Sequence, residues 1–373
     1  MSVRDVLIVG AGPSGLSAAI ACKKRDLDYQ ILEQGALVNS IFRFPPQMVF
    51  FTTPELLEIG GLPLTSPYGK PTRTEALTYY RRVADAYDLQ IAYGEKVLAV
   101  EREAGRAGEA GRAGGAGGAG EDAFAIETQS NRGVRRVRHA RFVIFAIGYY
   151  DHPVLLGIPG EDLPHVSHYY REAHPHYHQR VVVVGGGNSA AEAALEMFRA
   201  GAHVTLVHRA PTLKPTIKYW VRPDIENRIK EGSIAAQFSA MVHEIRPTSV
   251  VIGPCGGVNH PLPPDAPVQD GSENFVAPQR SGPSSRQEIA ADAVYLLTGY
   301  RADTDLMVRA GIALTDRRGP AYDRQTFETN VPGLFVAGGA LAGVDTGTIF
   351  IENGRFHGEK IVDVIASRLD RQA

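Results

Sequence analysis

The strongest constraint in this sequence is a unit that occurs twice: an apolar run, a glycine-rich turn and a helix of small residues. The first copy is Val6-Leu7-Ile8-Val9, then Gly10-Ala11-Gly12-Pro13-Ser14-Gly15, then a helix with Leu16, Ala19 and Ile20 on its buried face. The second is Val181-Val182-Val183-Val184, then Gly185-Gly186-Gly187-Asn188-Ser189-Ala190, then a helix through Ala194, Leu195 and Phe198 that Gly201 can end. Two such units predict an α/β chain with two Rossmann-like FAD/NAD(P)-binding domains.

A dinucleotide pyrophosphate needs close backbone approach at a helix N-terminus. Glycines without a Cβ allow that approach, and the helix dipole favours the anion. Gly10, Gly12 and Gly15 meet the need, with Pro13 and Ser14 in the same turn. The following strand, Tyr29-Gln30-Ile31-Leu32, ends in Glu33, where a carboxylate can accept from ribose hydroxyls. The expected ligand is FAD. At the matching place in the second unit, His203-Val204-Thr205-Leu206-Val207 ends in His208-Arg209, with Lys214 and Lys218 beyond. Cations there suit a 2′-phosphate, which Arg209 can pair bidentately and a carboxylate would repel. The expected ligand is therefore NADPH, with Gly185, Gly187, Asn188, Ser189 and Ala190 around its pyrophosphate and His208, Arg209 and Lys214 at the phosphorylated ribose.

Two further apolar strands, residues 142–147 and 294–298, each run into a glycine, Gly148 and Gly299. They mark crossing points: a first part of the FAD domain over 1–150, an NADPH domain over 151–299, and the rest of the FAD domain over 300–373. Residues 104–120 are almost wholly Ala, Gly, Arg and Glu, too poor in apolar surface to offset ordering entropy. Together with a Pro-, Gly- and Ser-rich stretch over 253–287, they are expected to enlarge two hairpin tips. A formal net charge of −2 leaves no electrostatic footprint for nucleic acid or an anionic membrane, so the expected partner is a small molecule. With only Cys22 and Cys255, and a start that runs into a strand instead of a signal segment, the expected location is the cytoplasm. His165, His168, His174, His176 and His178 crowd a Pro-containing linker without the carboxylates or thiols of a zinc site, and no metal is assigned to them.

Near the C-terminus, Gly333-Leu334-Phe335-Val336-Ala337-Gly338-Gly339, with Thr346-Gly347-Thr348 before a helix, resembles the closing FAD segment of pyridine-nucleotide disulfide oxidoreductases. That resemblance implies that Gly338 lines the flavin site and that the amides near Thr348 and Ile349 face the flavin pyrimidine end. It also shows a departure: most of those proteins carry Asp where Gly339 stands. Within that group the chain resembles the bacillithiol disulfide reductase family more narrowly. The resemblance rests on the first glycine motif, Phe50-Phe51-Thr52-Thr53, Ile147-Gly148-Tyr149-Tyr150, His168-Tyr169-Tyr170-Arg171-Glu172-Ala173-His174-Pro175, the second glycine motif, and Thr348-Ile349-Phe350-Ile351-Glu352-Asn353-Gly354-Arg355-Phe356-His357-Gly358. It spans nearly the whole chain apart from the two insertions. It implies an NADPH-dependent flavoenzyme that reduces bacillithiol disulfide, and related folds imply a homo-oligomer built on a dimer. Many family members carry Cys where this chain has Ser14, and no Cys-x-x-Cys pair exists here, so the sequence leaves the catalytic residue unassigned. A flavin monooxygenase, a ferredoxin- or flavodoxin-NADP reductase and a non-enzymatic flavin redox sensor stay open as alternatives.

Overall fold

The computed structural model describes residues 3–103, 123–255, 283–316, 318–343 and 346–371. They form two units: Met1–Arg43, Met48–His152 and Tyr300–Ala373 in one, Phe44–Gln47 and Pro153–Gly299 in the other.

The first unit opens with β1 (Arg4–Val9), α1 (Pro13–Lys24) and β2 (Tyr29–Glu33), followed by α2 (Asn39–Arg43), α3 (Arg73–Ala86) and β3 (Ile91–Tyr93). A meander of β4 (Glu95–Glu103), β5 (Ala123–Ser130) and β6 (Arg135–Phe145) comes next. Val6, Leu7 and Ile8 are fully buried, and each contributes on the order of 1.5–3 kcal/mol by leaving water. The eleven residues of β6 do two jobs. Its N-terminal half pairs antiparallel with β5, whereas Phe142 to Phe145 run parallel to β1. Burial follows the pairing: the outer half is largely exposed and the last four residues are buried without a break, as a strand covered on both faces must be. The expected strands around the first insertion are present, and the pair Glu103 and Ala123 closes their ladder. Residues 104–120 themselves lie outside the described residues.

The second unit holds β7 (Val166–Ser167), β8 (Arg180–Val184), α4 (Asn188–Arg199), β9 (His203–His208), α5 (Arg222–Lys230) and β10 (Ala235–Phe238). It continues with β11 (Ala240–Arg246), β12 (Ser249–Pro254), β13 (Gln287–Ala290) and β14 (Ala293–Leu296). Its main sheet is parallel throughout, in the order β10-β9-β8-β14-β7. A three-stranded antiparallel sheet, β11-β12-β13, carries the second insertion between β12 and β13, as expected of an enlarged hairpin. Residues 256–282 of that insertion lie outside the described residues.

The chain then completes the first unit with α6 (Thr304–Arg309), β15 (Leu334–Val336), α7 (Ile351–Gly354) and α8 (His357–Leu369). β15 pairs parallel with the inner half of β6, so the parallel part of the first sheet runs β3-β2-β1-β6-β15. α8 closes on α1 at Gly358, where a Cβ would strike the backbone nitrogen of Ala18. Among the described residues no helix is long and apolar enough to cross a membrane.

In each unit the glycine-bearing strand lies where the strand order reverses, β1 between β2 and β6, and β8 between β9 and β14. Ligands of open α/β sheets bind at the carboxyl ends of strands at such points. The local geometry is duplicated as well. A Cβ on Gly10 would lie 2.5 Å from the carbonyl oxygen of Ala146, and one on Gly185 would lie 2.5 Å from that of Leu297. With φ of +106° and +148°, both positions favour glycine on backbone grounds too.

Candidate cofactor sites

In the first unit the three motif glycines answer to different demands. Gly10 and Gly15 are required by the turn itself, since a Cβ on Gly15 would run into the carbonyl oxygen of Gly10. Around Gly12, by contrast, a Cβ would meet nothing within 4 Å. Among the described residues no atom requires glycine there. Gly12 is the N-cap of α1 and Pro13 its first residue, with no side-chain cap. First-turn amides lack intrahelical acceptors in any helix, and here they open onto space left by the missing side chain. That cradle fits a pyrophosphate.

Glu33 stands beside it, only 5% exposed, at the end of β2. One carboxylate oxygen accepts from the amide of Ala11 and the other from that of Gly35, both at 2.7 Å. Burial pushes the carboxyl above its ordinary range, and the two amide bonds offset only part of that. Each oxygen keeps a lone pair that a ribose hydroxyl can use.

Ser14 faces the C-terminal segment. Its hydroxyl donates to the carbonyl of Gly354 at 3.1 Å and packs against Gly338, where a Cβ would collide with it. One turn on, Ser17 donates to the carbonyl of Arg355 at 2.5 Å, and Arg355 donates to the carbonyls of Glu55 and Glu58. The structure therefore joins Ser14, Gly338 and the segment after Thr348 across more than 300 residues of sequence. The helix expected after Thr348 begins as the single turn α7, shaped by Asn353, which accepts from the amide of Phe350 and donates to the carbonyl of Thr348. Ile349 is half-buried beside them. Gly148, with φ +63°, ends the segment beyond β6. Its neighbour Tyr149 explains Gly339: a Cβ there would lie 2.8 Å from the Tyr149 ring, so the aromatic ring fills the space that an Asp would take.

His357 is a site residue to which the sequence attached no role. Its Nδ1 accepts from the amide of Gly338 at 3.1 Å, and its ring stacks on Phe327 with centroids 4.4 Å apart. Burial, helped by the nearby Lys360, pulls its pKa from 6.5 to about 4. His208, in the second unit, is pulled down to about 4 as well, by burial first and then by Lys214 and Arg209. The unfolded chain thus binds more protons than the folded one between those values. Stability is expected to be full above pH 6.5 and to fall as the pH drops towards about 4. Urea midpoints across that window check this, and His357→Asn, which keeps an acceptor for the Gly338 amide, should flatten the slope.

In the second unit Gly187 is the N-cap of α4, and a Cβ on it would meet only the Lys214 side chain, at 3.9 Å. Asn188 and Ser189 begin that helix, and Ala190 is buried beneath the turn, its methyl 3.0 Å from the Cβ position of Gly185. The Asn188 side chain points back to the loop after β9. It donates to the carbonyl of Thr216 at 3.2 Å and accepts from the amide of Lys218 at 2.8 Å. Lys214 adds a bond from its amide to the carbonyl of Gly186 at 2.9 Å. The four cations read from the sequence therefore separate. His208 is 6% exposed, wedged where a Cβ on Gly186 would stand, and neutral at physiological pH. Lys218 is paired with Glu192 at 2.5 Å. Arg209 and Lys214 are exposed and, among the described residues, form no ion pair. Of the two cysteines, Cys22 is buried, its thiol pushed up to about 12 by burial, and Cys255 is exposed with its thiol on the carbonyl of Arg209.

A family model described as pyridine nucleotide-disulphide oxidoreductase matches residues 7–107, 119–254 and 272–338. The chain is 38% identical over 369 residues, 99% of each protein, to bacilliredoxin reductase Bdr of Bacillus subtilis (strain 168). Among solved structures it is similar to bacillithiol disulfide reductase Bdr (YpdA) from Bacillus cereus, at 33% identity with a TM-score of 0.84, covering 98% of this chain and 100% of that one. The corresponding protein from Staphylococcus aureus superposes with a TM-score of 0.81 at 33% identity, over 99% of both chains.

Proposed function

The chain belongs to the pyridine nucleotide-disulphide oxidoreductase family, and from that premise we propose that it is an NADPH-dependent, FAD-containing reductase of bacillithiol disulfide. The observation that carries the reading is the pair of open cradles at Gly12 and Gly187, one beside a strand that ends in Glu33 and the other beside a strand that ends in His208 and is followed by Arg209. The first suits the unphosphorylated ribose of FAD, and the second suits the 2′-phosphate of NADPH. FAD, when bound, supplies the two-electron relay by which NADPH, one proton and one disulfide give NADP+ and two thiols.

The chain's own residues bind and orient. The amides at the start of α1 and α4 hold phosphates, Glu33 holds a ribose, and Arg209 with Lys214 selects the phosphorylated coenzyme. Ser14 locks the first turn to Gly354, and His357 fixes the Gly338 amide. None of them is a thiol. Cys22 is buried with its proton held tightly, and the other cysteine, Cys255, is exposed and free, so the chain offers no Cys-x-x-Cys pair. Electrons therefore reach the substrate disulfide without a dithiol of this protein. The two lone cysteines suit the reducing cytoplasm, where we place the reaction.

Purified protein is expected to consume NADPH on addition of bacillithiol disulfide well above its background oxidase rate. A rate at the background would remove the substrate assignment. The double variant C22A/C255S should keep kcat within about twofold, since a relay cysteine would cost orders of magnitude. Collapse of its kcat, with flavin content unchanged, would overturn delivery without a protein thiol.

A further inference from the structure

We infer that the aromatic pair Tyr219 and Trp220, on the loop that follows β9, forms the wall against which the adenine ring of the phosphorylated coenzyme stacks. The inference rests on the reading of the second unit as the NADPH site and adds the subsite for its base.

Three observations place the pair there. The loop from Arg209 to Trp220 is bound to the glycine turn and not merely near it. Lys214 bonds the Gly186 carbonyl, Asn188 at the start of α4 bonds both Thr216 and Lys218, and the Lys218 ammonium reaches Glu192 one turn further along the same helix. Leu213 and Ile217 are buried and anchor the loop from beneath. Held at so many points, the loop ends in two aromatics that stay in contact with solvent, Tyr219 at 78% and Trp220 at 41% exposed. Their rings pack edge to face with centroids 4.7 Å apart, and the Lys218 ammonium lies 5.8 Å from the Trp220 centroid. Large aromatic surface left in water on a firmly held loop is costly for folding and useful for binding a flat π-system.

The turn beneath carries its own sign of a ligand. His208 is more than nine-tenths buried at Gly186, and its Nε2 has no hydrogen-bond partner among the described residues.

The base in question is adenine and not nicotinamide because of where the cations lie. In a doubly wound sheet the strand after the first crossover helix ends beside the adenosine ribose. Here that strand is β9, and the 2′-phosphate cations Arg209 and Lys214 belong to the same loop as Trp220. A base attached to the ribose they hold comes to the aromatics of that loop. The nicotinamide, beyond the pyrophosphate, extends away from them. Base stacking on an aromatic side chain is lost on truncation to alanine at about tenfold in affinity.

Trp220 is the single tryptophan of the chain, so the wall reports on itself. The flavin-loaded protein is titrated with adenosine 2′,5′-bisphosphate, which has the base and the 2′-phosphate but no nicotinamide, by calorimetry and by tryptophan emission in parallel. We expect emission to change with the calorimetric Kd, W220A to weaken binding about tenfold and W220F to keep most of the affinity. Nicotinamide mononucleotide should leave emission unchanged. Calorimetric binding with unaltered emission, or with W220A as tight as the parent, overturns the wall and leaves the NADPH site standing. No calorimetric binding to the parent protein overturns the site and the wall together.

Discussion

Gly12→Val is expected to give a folded, colourless protein, and Gly15→Ala a protein that loses stability before cofactor binding comes into question. The two glycines are three residues apart in one motif, and the difference lies in what surrounds them. A side chain at 12 enters open space, so the apo fold can accept it, but it would stand at the N-cap, beside the first-turn amides of α1. A valine there displaces the pyrophosphate. Losing two charge-assisted amide contacts at about 1.5–3 kcal/mol each weakens FAD at least about a hundredfold. At 15 the Cβ strikes the carbonyl oxygen of Gly10, whose own φ of +106° leaves it little room to retreat. Overpacking of that kind costs on the order of 1–3 kcal/mol of stability. The ratio of flavin to protein absorbance, before and after added FAD, and the thermal midpoint separate the two effects. A yellow, stoichiometrically loaded Gly12→Val would mean that the cradle does not hold the dinucleotide.

What was legible in the sequence is what depends on local chemistry. A glycine forced by positive φ, a carboxylate ending one strand and an arginine just past the end of its counterpart are decided within a few residues, and β1, β2, β8 and β9 stand where the motifs predict. The helix faces were legible for the same reason: Leu16, Ala19 and Ile20 are buried in α1. Contacts between distant segments were not. Ser14 has the same chemistry whether it faces a phosphate or the Gly354 carbonyl 340 residues away, and only the folded chain decides for the carbonyl. His357 sits in a motif visible from the start, yet its bond to Gly338 requires the start of α8 to meet the turn that follows β15. The gap at Gly339 looked like a missing cofactor contact and is a packing exchange with Tyr149. Charge alone does not separate Lys218 and His208 from Arg209 and Lys214. Both belong to the basic cluster after β9, but one is consumed by Glu192 and the other is buried neutral, a distinction that depends on neighbours the composition does not reveal.

That separation of the cations gives the last expected result: Arg209→Ala and Lys214→Ala should each cut kcat/KM for NADPH about ten- to a hundredfold and leave the much poorer NADH value nearly unchanged. The asymmetry follows from the phosphate. Both coenzymes share the pyrophosphate held by α4, the base and the nicotinamide, so only contacts to the 2′-phosphate can discriminate between them. Arg209 and Lys214 are the two cations of the loop that are exposed and outside any ion pair among the described residues, so their charge is available to a ligand. In R209A/K214A the losses should fall short of additive, because two cations on one phosphate share its charge. Raising ionic strength should narrow the preference for NADPH in the parent and have little effect in the double variant. Lys218→Ala is the control. Its ammonium is spent on Glu192, so its removal should loosen the loop and weaken both coenzymes alike, without altering their ratio. If instead K218A changes the ratio while R209A does not, the phosphate lies on the helix side of the loop and the assignment of Arg209 is wrong.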